Sequence, residues 1–179
     1  MAMAAAQHPF DQLLDLAGRS GQGSAAQAAS PTSSGALGLR VGAHALLFAL
    51  AETGEIVPVP RLTRVPGVQP WLLGIVSLRG RIVPVIDLGD FLEGRHTSIG
   101  PRTRIVIASG GDWSYGLVVD EIIGMRPICP ANRLPELPAG TAPTLKPYAR
   151  AAYAIDNQVW SEFDIGRLLA DPRFMAAAL

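Results

Sequence analysis

Between residues 37 and 164 the chain is a succession of short apolar, β-branched runs, punctuated by Gly, Pro and Asp. None of the intervals holds an amphipathic helix long enough for a crossover between parallel strands. That excludes a sheet built from βαβ units and leaves small barrels or a sandwich. The runs predict strands at Leu37–Val41, Ala45–Ala49, Glu55–Pro58, Leu73–Leu78, Arg81–Asp87, Thr103–Ala108, Tyr115–Val119, Ile122–Arg126, Ala149–Ile155 and Gln158–Asp164. Pro58, Pro60, Pro66 and Pro70 confine the stretch between them to loop or edge positions. Residues 127–147 carry six prolines and read as a long irregular connection. Residues 165–170 form a short closing helix that stops at the Asp171-Pro172 pair.

The pair of runs around residue 80 is the most informative. Leu73–Leu78 meets Arg81–Asp87 across Arg79-Gly80, and two intervening residues ending in Gly fit a tight β-turn. Both arms are almost continuously apolar, so both faces need cover. One face packs inside a barrel; the other meets a second layer, within the chain or on a partner. Pro84 removes one backbone donor, so its arm is expected to be an edge or to carry a bulge.

The first 36 residues differ in texture. Phe10, Leu13, Leu14 and Ala17 share one helical face, so residues 9–17 read as a short helix that covers its own domain or reaches a partner. Residues 18–36 hold no Val, Ile, Leu or Phe and read as a flexible linker. The G-x-G-x-x-A match at Gly21–Ala26 lies in this tract and follows no strand, so it carries no dinucleotide reading. The expected organisation is a helix and linker over 1–36, one domain over 37–171 and a C-terminal tail over 172–179.

Catalytic groups are sparse. The three histidines, His8, His44 and His96, lie in separate segments without companions at ligand spacing. The single cysteine, Cys129, permits no internal disulfide and no thiolate cluster. Neither a nucleophile elbow nor a phosphate loop occurs. Asp87, before Leu88-Gly89, and Asp120 each end a strand, where Asp accepts backbone hydrogen bonds in a turn. Lys plus Arg equals Asp plus Glu at 15 each, which weighs against a nucleic-acid-binding β-barrel, the main alternative for such a domain. Seven arginines fall between Arg61 and Arg104, but Trp71 and Phe91 are the only aromatics there, so the local basic face suits protein better than stacked bases. No apolar run approaches the roughly 20 residues that span a bilayer, and no basic leader opens the chain. The expectation is a cytoplasmic protein without direct membrane insertion.

The stretch Gly74-Ile-Val-Ser-Leu-Arg-Gly-Arg-Ile-Val-Pro-Val-Ile-Asp-Leu88 resembles the G-x-x-N-L-R-G-x-I-V-P-V-I-D-L signature of the CheW family of chemotaxis adaptors, with Ser77 where the family often has Asn. Glu55-Ile56, Leu62–Val65 and Pro70 upstream, and Tyr115–Asp120 downstream, follow the family's order. The similarity runs over about residues 37 to 170. Phe10, the Pro66-Gly67-Val68 loop, Val118–Glu121 and Gly124-Met125 are most like the adaptor branch of the type IV pilus pathway. The resemblance implies an all-β protein: two small five-stranded SH3-like β-barrels on a shared core, with short helices at the termini. It implies no active site, cofactor or metal, and a role bridging a chemoreceptor's cytoplasmic tip to the regulatory domain of a CheA-type histidine kinase, with array or ring assembly open to it. It places Arg79 in receptor–kinase coupling, Glu55 on the receptor side and Gly80 in the turn. Val85 is expected at the docking surface too, while Asp87 and Pro84 support the hairpin.

Overall fold

The computed structural model describes residues 34–110 and 113–177. The helix expected at 9–17 and the linker up to residue 33 lie outside them. All ten strands expected from the sequence form: β1 (Ser34–Val41), β2 (His44–Ala49), β3 (Thr53–Pro58), β4 (Leu72–Leu78), β5 (Arg81–Asp87), β6 (Arg104–Gly110), β7 (Trp113–Val119), β8 (Glu121–Ile128), β9 (Ala149–Ile155) and β10 (Gln158–Phe163). They make two five-stranded sheets, ordered β8-β1-β2-β10-β9 and β3-β6-β7-β5-β4. The fold is mostly β, as the sequence implied.

The two sheets share one plan. In each, a hairpin supplies the last two strands, β9–β10 or β4–β5, and its second arm runs parallel to the central strand, β2 or β7. In each, the hairpin turn is two residues with positive φ: Arg79 and Gly80 in one, Asp156 and Asn157 in the other. An aspartate then ends the second arm and caps a short helix. Asp87 accepts from the Gly89 and Asp90 N–H groups at the start of α1 (Leu88–Glu93), and Asp164 accepts from the Arg167 N–H in α2 (Ile165–Leu169).

Alternation along the strands explains why their sequences look apolar on both sides. Leu37, Leu39, Leu46 and Phe48 from one sheet meet Ile86, Val106, Leu117 and Val119 from the other in the main core. The intervening residues face away into a private core for each sheet: Leu47, Tyr153, Ile155 and Trp160 in the first, Val76, Val83, Val85, Ile105 and Val118 in the second. A sheet covered on both faces needs near-continuous hydrophobic strands.

Three local expectations are corrected. Pro84 lies on neither an edge nor a bulge: β5 sits between β4 and β7, and the bulge falls on β4, between the Leu72↔Ile86 and Gly74↔Val85 pairs. Ile75 exchanges both of its backbone bonds with Thr63, at 2.9 Å each, so the Ile75↔Pro84 pair is not hydrogen-bonded. The Pro84 nitrogen therefore points toward β7, whose pairing with β5 begins only at Val85, and the ring costs no ladder bond. Second, residues 88–93 are a helix where only a turn was read; Asp87 at the N-cap and Gly94 at φ 66° close its two ends. Third, Pro172 opens a further helical turn, α3 (Pro172–Met175), capped by Asp171, and Phe174 on it is buried, so this part of the expected tail is docked.

The outer edge of β4 is covered. Thr63 bridges to Ile75, and Gly74, at φ 145°, makes room for it: a Cβ there would lie 2.3 Å from the Thr63 carbonyl oxygen. Only glycine fits, which accounts for that position in the strand.

Candidate protein-docking surface

The hairpin β4–β5 ends in a turn with positive φ at both central residues, 49° at Arg79 and 77° at Gly80. Gly80 adopts that backbone without strain. Arg79 does not, since an L-residue there costs roughly 1 kcal/mol. The arginine head makes one ion pair, Nη2 to Glu55 Oε1 at 3.1 Å, reaching from the turn across to β3. The two side chains are 82% and 42% exposed. Pairs this wet contribute about 0–1 kcal/mol, so the pair does little more for stability than offset the strain of the turn. A strained, charged, outward residue that adds little to folding is what a recognition site needs.

The two faces of the hairpin differ. Val76, Val83 and Val85 point into the private core of their sheet. Val85 is 0% exposed. It cannot touch a partner, because Ile105 and Val118 already pack around it, so it supports the hairpin from behind. Ile82, across the strand from Val83, is 61% exposed. It is joined by Trp113 of β7, 67% exposed, and with Arg81 and Ser114 these line a shallow groove. A second groove continues from Pro84 and Ile86 past Tyr115 to Met175. Large apolar side chains exposed side by side mark interaction surfaces. Of the residues expected at a docking surface, Arg79 and Glu55 are brought together at the hairpin tip with Gly80 in its turn, whereas the exposed Ile82, Trp113 and Met175 were not among those expected there. The aromatic at the start of a strand gave no sign of which face it would occupy.

Behind the turn, Asp87 anchors the base of the hairpin. Its carboxylate is buried and takes four bonds: Oδ1 from the Gly89 and Asp90 N–H groups at 3.1 and 3.2 Å and from the Thr97 hydroxyl at 2.7 Å, and Oδ2 from the Thr97 N–H at 2.7 Å. Next to it, burial pushes the Asp90 carboxyl above its ordinary range; the nearby His96 opposes the shift and the Asp87 charge adds to it. His96 Nδ1 lies 3.0 Å from Asp90 Oδ2. His44 pairs with Glu93 at 2.6 Å, and Asp120 takes the Gly42 N–H and Arg95. Among the described residues no three His, Cys, Asp or Glu side chains converge as metal ligands. Of the arginines between 61 and 104, Arg79, Arg95 and Arg102 are in ion pairs with Glu55, Asp120 and Glu121, and Arg104 bonds two backbone carbonyls.

The other hairpin carries the opposite charge. Asp156 at its turn is 79% exposed and lies 3.7 Å from Arg126 on the edge strand β8; the Arg126 guanidinium stacks 5.3 Å from the centre of Trp160. One sheet thus displays a turn cation held by an edge-strand acid, and the other a turn acid held by an edge-strand cation.

A family model described as the CheW-like domain matches residues 35–173. Protein PilI of Pseudomonas aeruginosa is 30% identical over 183 residues, spanning 99% of this chain and 100% of that one. The chemotaxis protein CheW of Bacillus subtilis is 46% identical over 59 residues, covering 33% of this chain and 38% of its own. Among solved structures, the scaffolding protein TtCheW from Thermoanaerobacter tengcongensis superposes with a TM-score of 0.67 at 23% identity, covering 79% of this chain and 95% of that one, a likeness of fold. No helix of the described residues is long and apolar enough to cross a membrane.

Proposed function

We propose that this chain, which belongs to the CheW-like domain family, is a non-catalytic signalling adaptor of the cytoplasm. It couples the cytoplasmic tip of a chemoreceptor to the regulatory domain of a CheA-type histidine kinase. The single observation that carries the reading is the hairpin tip: a strained, exposed arginine paired to Glu55, beside an open apolar strip at Ile82 and Trp113. The strip accepts an apolar helical ridge, and the ion pair at its rim sets orientation. Apolar anchors supply most of the affinity, while rim charges supply specificity and encounter rate. Signal passes as a change in how receptor, adaptor and kinase pack.

Full-length similarity to Protein PilI supports a place in the pathway that drives type IV pilus twitching motility. The charge-inverted hairpins support assembly as well. The basic turn of one two-sheet domain complements the acidic turn of the next, so head-to-tail contacts extend into an array or ring. Weak contacts then gain from linkage and raised effective concentration.

The test is co-purification with the kinase regulatory domain, with and without a receptor-tip fragment. Retention of the kinase domain, and a ternary complex when the fragment is added, is the expected result. Failure to retain either partner at micromolar concentrations contradicts the proposal.

A further inference from the structure

The outer face of the hairpin is open at Ile82 but roofed at its root, and the roof is the C-terminal turn. Phe174 on α3 is 4% exposed. Its ring stacks on Trp71 at 5.8 Å and meets Phe91 and Tyr115 edge-on at 5.7 and 5.4 Å. These three residues are informative by position. Trp71 stands immediately before β4, and its carbonyl accepts the Asp87 N–H at 2.8 Å. Phe91 lies on α1, which β5 runs into, and Tyr115 lies on β7, the strand beside β5. One ring therefore touches the entry to the hairpin, the exit from it and its neighbour in the sheet.

The chain around Phe174 is fastened at both sides. Beyond it, the Ala177 carbonyl accepts the Gln69 N–H at 2.8 Å, just upstream of Trp71. Before it, the Tyr148 hydroxyl donates to Asp171, and Arg173 donates to the Tyr148 oxygen at 2.9 Å while lying 4.9 Å over the Phe91 ring. Yet α3 has only four residues, too few to hold its shape alone. Between it and the hairpin a groove of about 180 Å³ remains, bounded by Pro84, Ile86, Tyr115 and the exposed Met175. A four-residue element pinned through a handful of side chains opens locally at lower free energy than the strands it covers.

We propose that the C-terminal turn is a strap that positions the docking hairpin, with Phe174 as its positioning residue. Seated, it fixes Trp71 and α1, and so the two roots from which Arg79 and Ile82 project. Lifted, it widens the groove at Pro84 and Ile86 and frees both roots together. The strap itself stands on the packing alone; its effect on docking rests on the adaptor reading above.

Hydrogen exchange on the full chain tests it, with Phe174→Ala, the conservative Phe174→Leu, and Arg173→Ala in case the first variant fails to fold. In Phe174→Ala, exchange is expected to rise about tenfold or more across 69–76 and 88–93 as well as 172–177, to stay unchanged in β2 and β10, and to return most of the way in Phe174→Leu. Arg173→Ala is expected to show the same pattern at smaller amplitude. A rise confined to 172–177 makes the segment an idle tail and overturns the proposal. A uniform rise in both sheets makes Phe174 an ordinary core residue and overturns it equally. Binding to the kinase regulatory domain is measured in parallel, and several-fold faster dissociation in Phe174→Ala is expected. Loosened roots with unaltered dissociation would count against the hairpin as the docking element and leave the strap standing.

Discussion

Reversing the charge at the hairpin tip separates recognition from folding. Arg79 and Glu55 sit 3.1 Å apart and are 82% and 42% exposed. In water, two unit charges at that distance attract by about 1.3 kcal/mol before side-chain entropy is counted, and measured pairs of this kind reach 1 kcal/mol at most. In Arg79→Glu the pair is lost and two carboxylates face each other, but both can swing into solvent. The backbone strain at φ 49° is the same for either residue. The expected cost is about 1 kcal/mol or less, a fall in Tm of roughly 2–4 °C. If the tip is a recognition site, the loss in partner binding is far larger, about 2 kcal/mol or more, which is thirtyfold in Kd. The double variant Glu55→Arg with Arg79→Glu restores the pair in reverse. Its Tm should return close to that of the parent, while its binding should stay weak. Calorimetric melting and titration with the kinase regulatory domain read the two effects separately. Binding restored by the swap would mean that the pair only shapes the turn, and binding untouched by the single reversal would remove Arg79 from the surface; either result refutes the reasoning.

Other perturbations have equally definite outcomes. Val85→Ala should cost about 1–3 kcal/mol in urea unfolding, because it opens space among Ile105, Val118 and Val83, and should weaken partner binding only as far as it loosens the fold. Asp87→Ala orphans three buried N–H groups and the Thr97 hydroxyl, and about 2–4 kcal/mol should be lost. Gly74→Ala drives a methyl into the Thr63 carbonyl at φ 145°, so a loss of about 2 kcal/mol or more is expected, with raised hydrogen exchange at Thr63 and Ile75. Acid stability should follow Asp164 and Asp171. Burial pushes the Asp164 carboxyl up, but hydrogen bonds from Arg150 and the Arg167 N–H, with both positive charges, bring it below the usual carboxylate range. The Tyr148 hydrogen bond lowers Asp171. Groups with depressed pKa values stabilise the fold above their unfolded pKa and lose that contribution as pH falls through the folded one. Stability should therefore drop below about pH 4, and Arg150→Ala should flatten that limb; an unchanged acid limb in Arg150→Ala would contradict the assignment.

Strand positions were legible in the sequence because the physics that sets them is local. Runs such as Arg81–Asp87 and Ala149–Ile155 are bounded by turn residues and begin and end where the sequence placed them. Which face of a strand stays open is not local. Ile82 and Val83 are adjacent and both apolar, yet one is exposed and the other buried, because Val83 turns into the private core while the main core on the opposite face takes in Ile86 but stops short of Ile82. The same blindness put Val85 at the surface and left Trp113 unnoticed. The pairing of Arg79 with Glu55 spans 24 residues and needs the β3-to-β4 path folded around the sheet. Helix α1 was signalled by Asp87 and Gly94, but six residues with two glycines nearby read as a turn until Thr97 is seen closing on the same carboxylate.

The most direct check is the affinity of Ile82→Asp for the kinase regulatory domain and for a receptor-tip helical fragment. Ile82 is already open to water and fills no cavity, so melting should be unchanged. If this strip is where partners sit, a buried aspartate there weakens at least one of the two complexes tenfold or more. Equal affinity of variant and parent for both, at matched salt, would show that the partners grip the protein somewhere else.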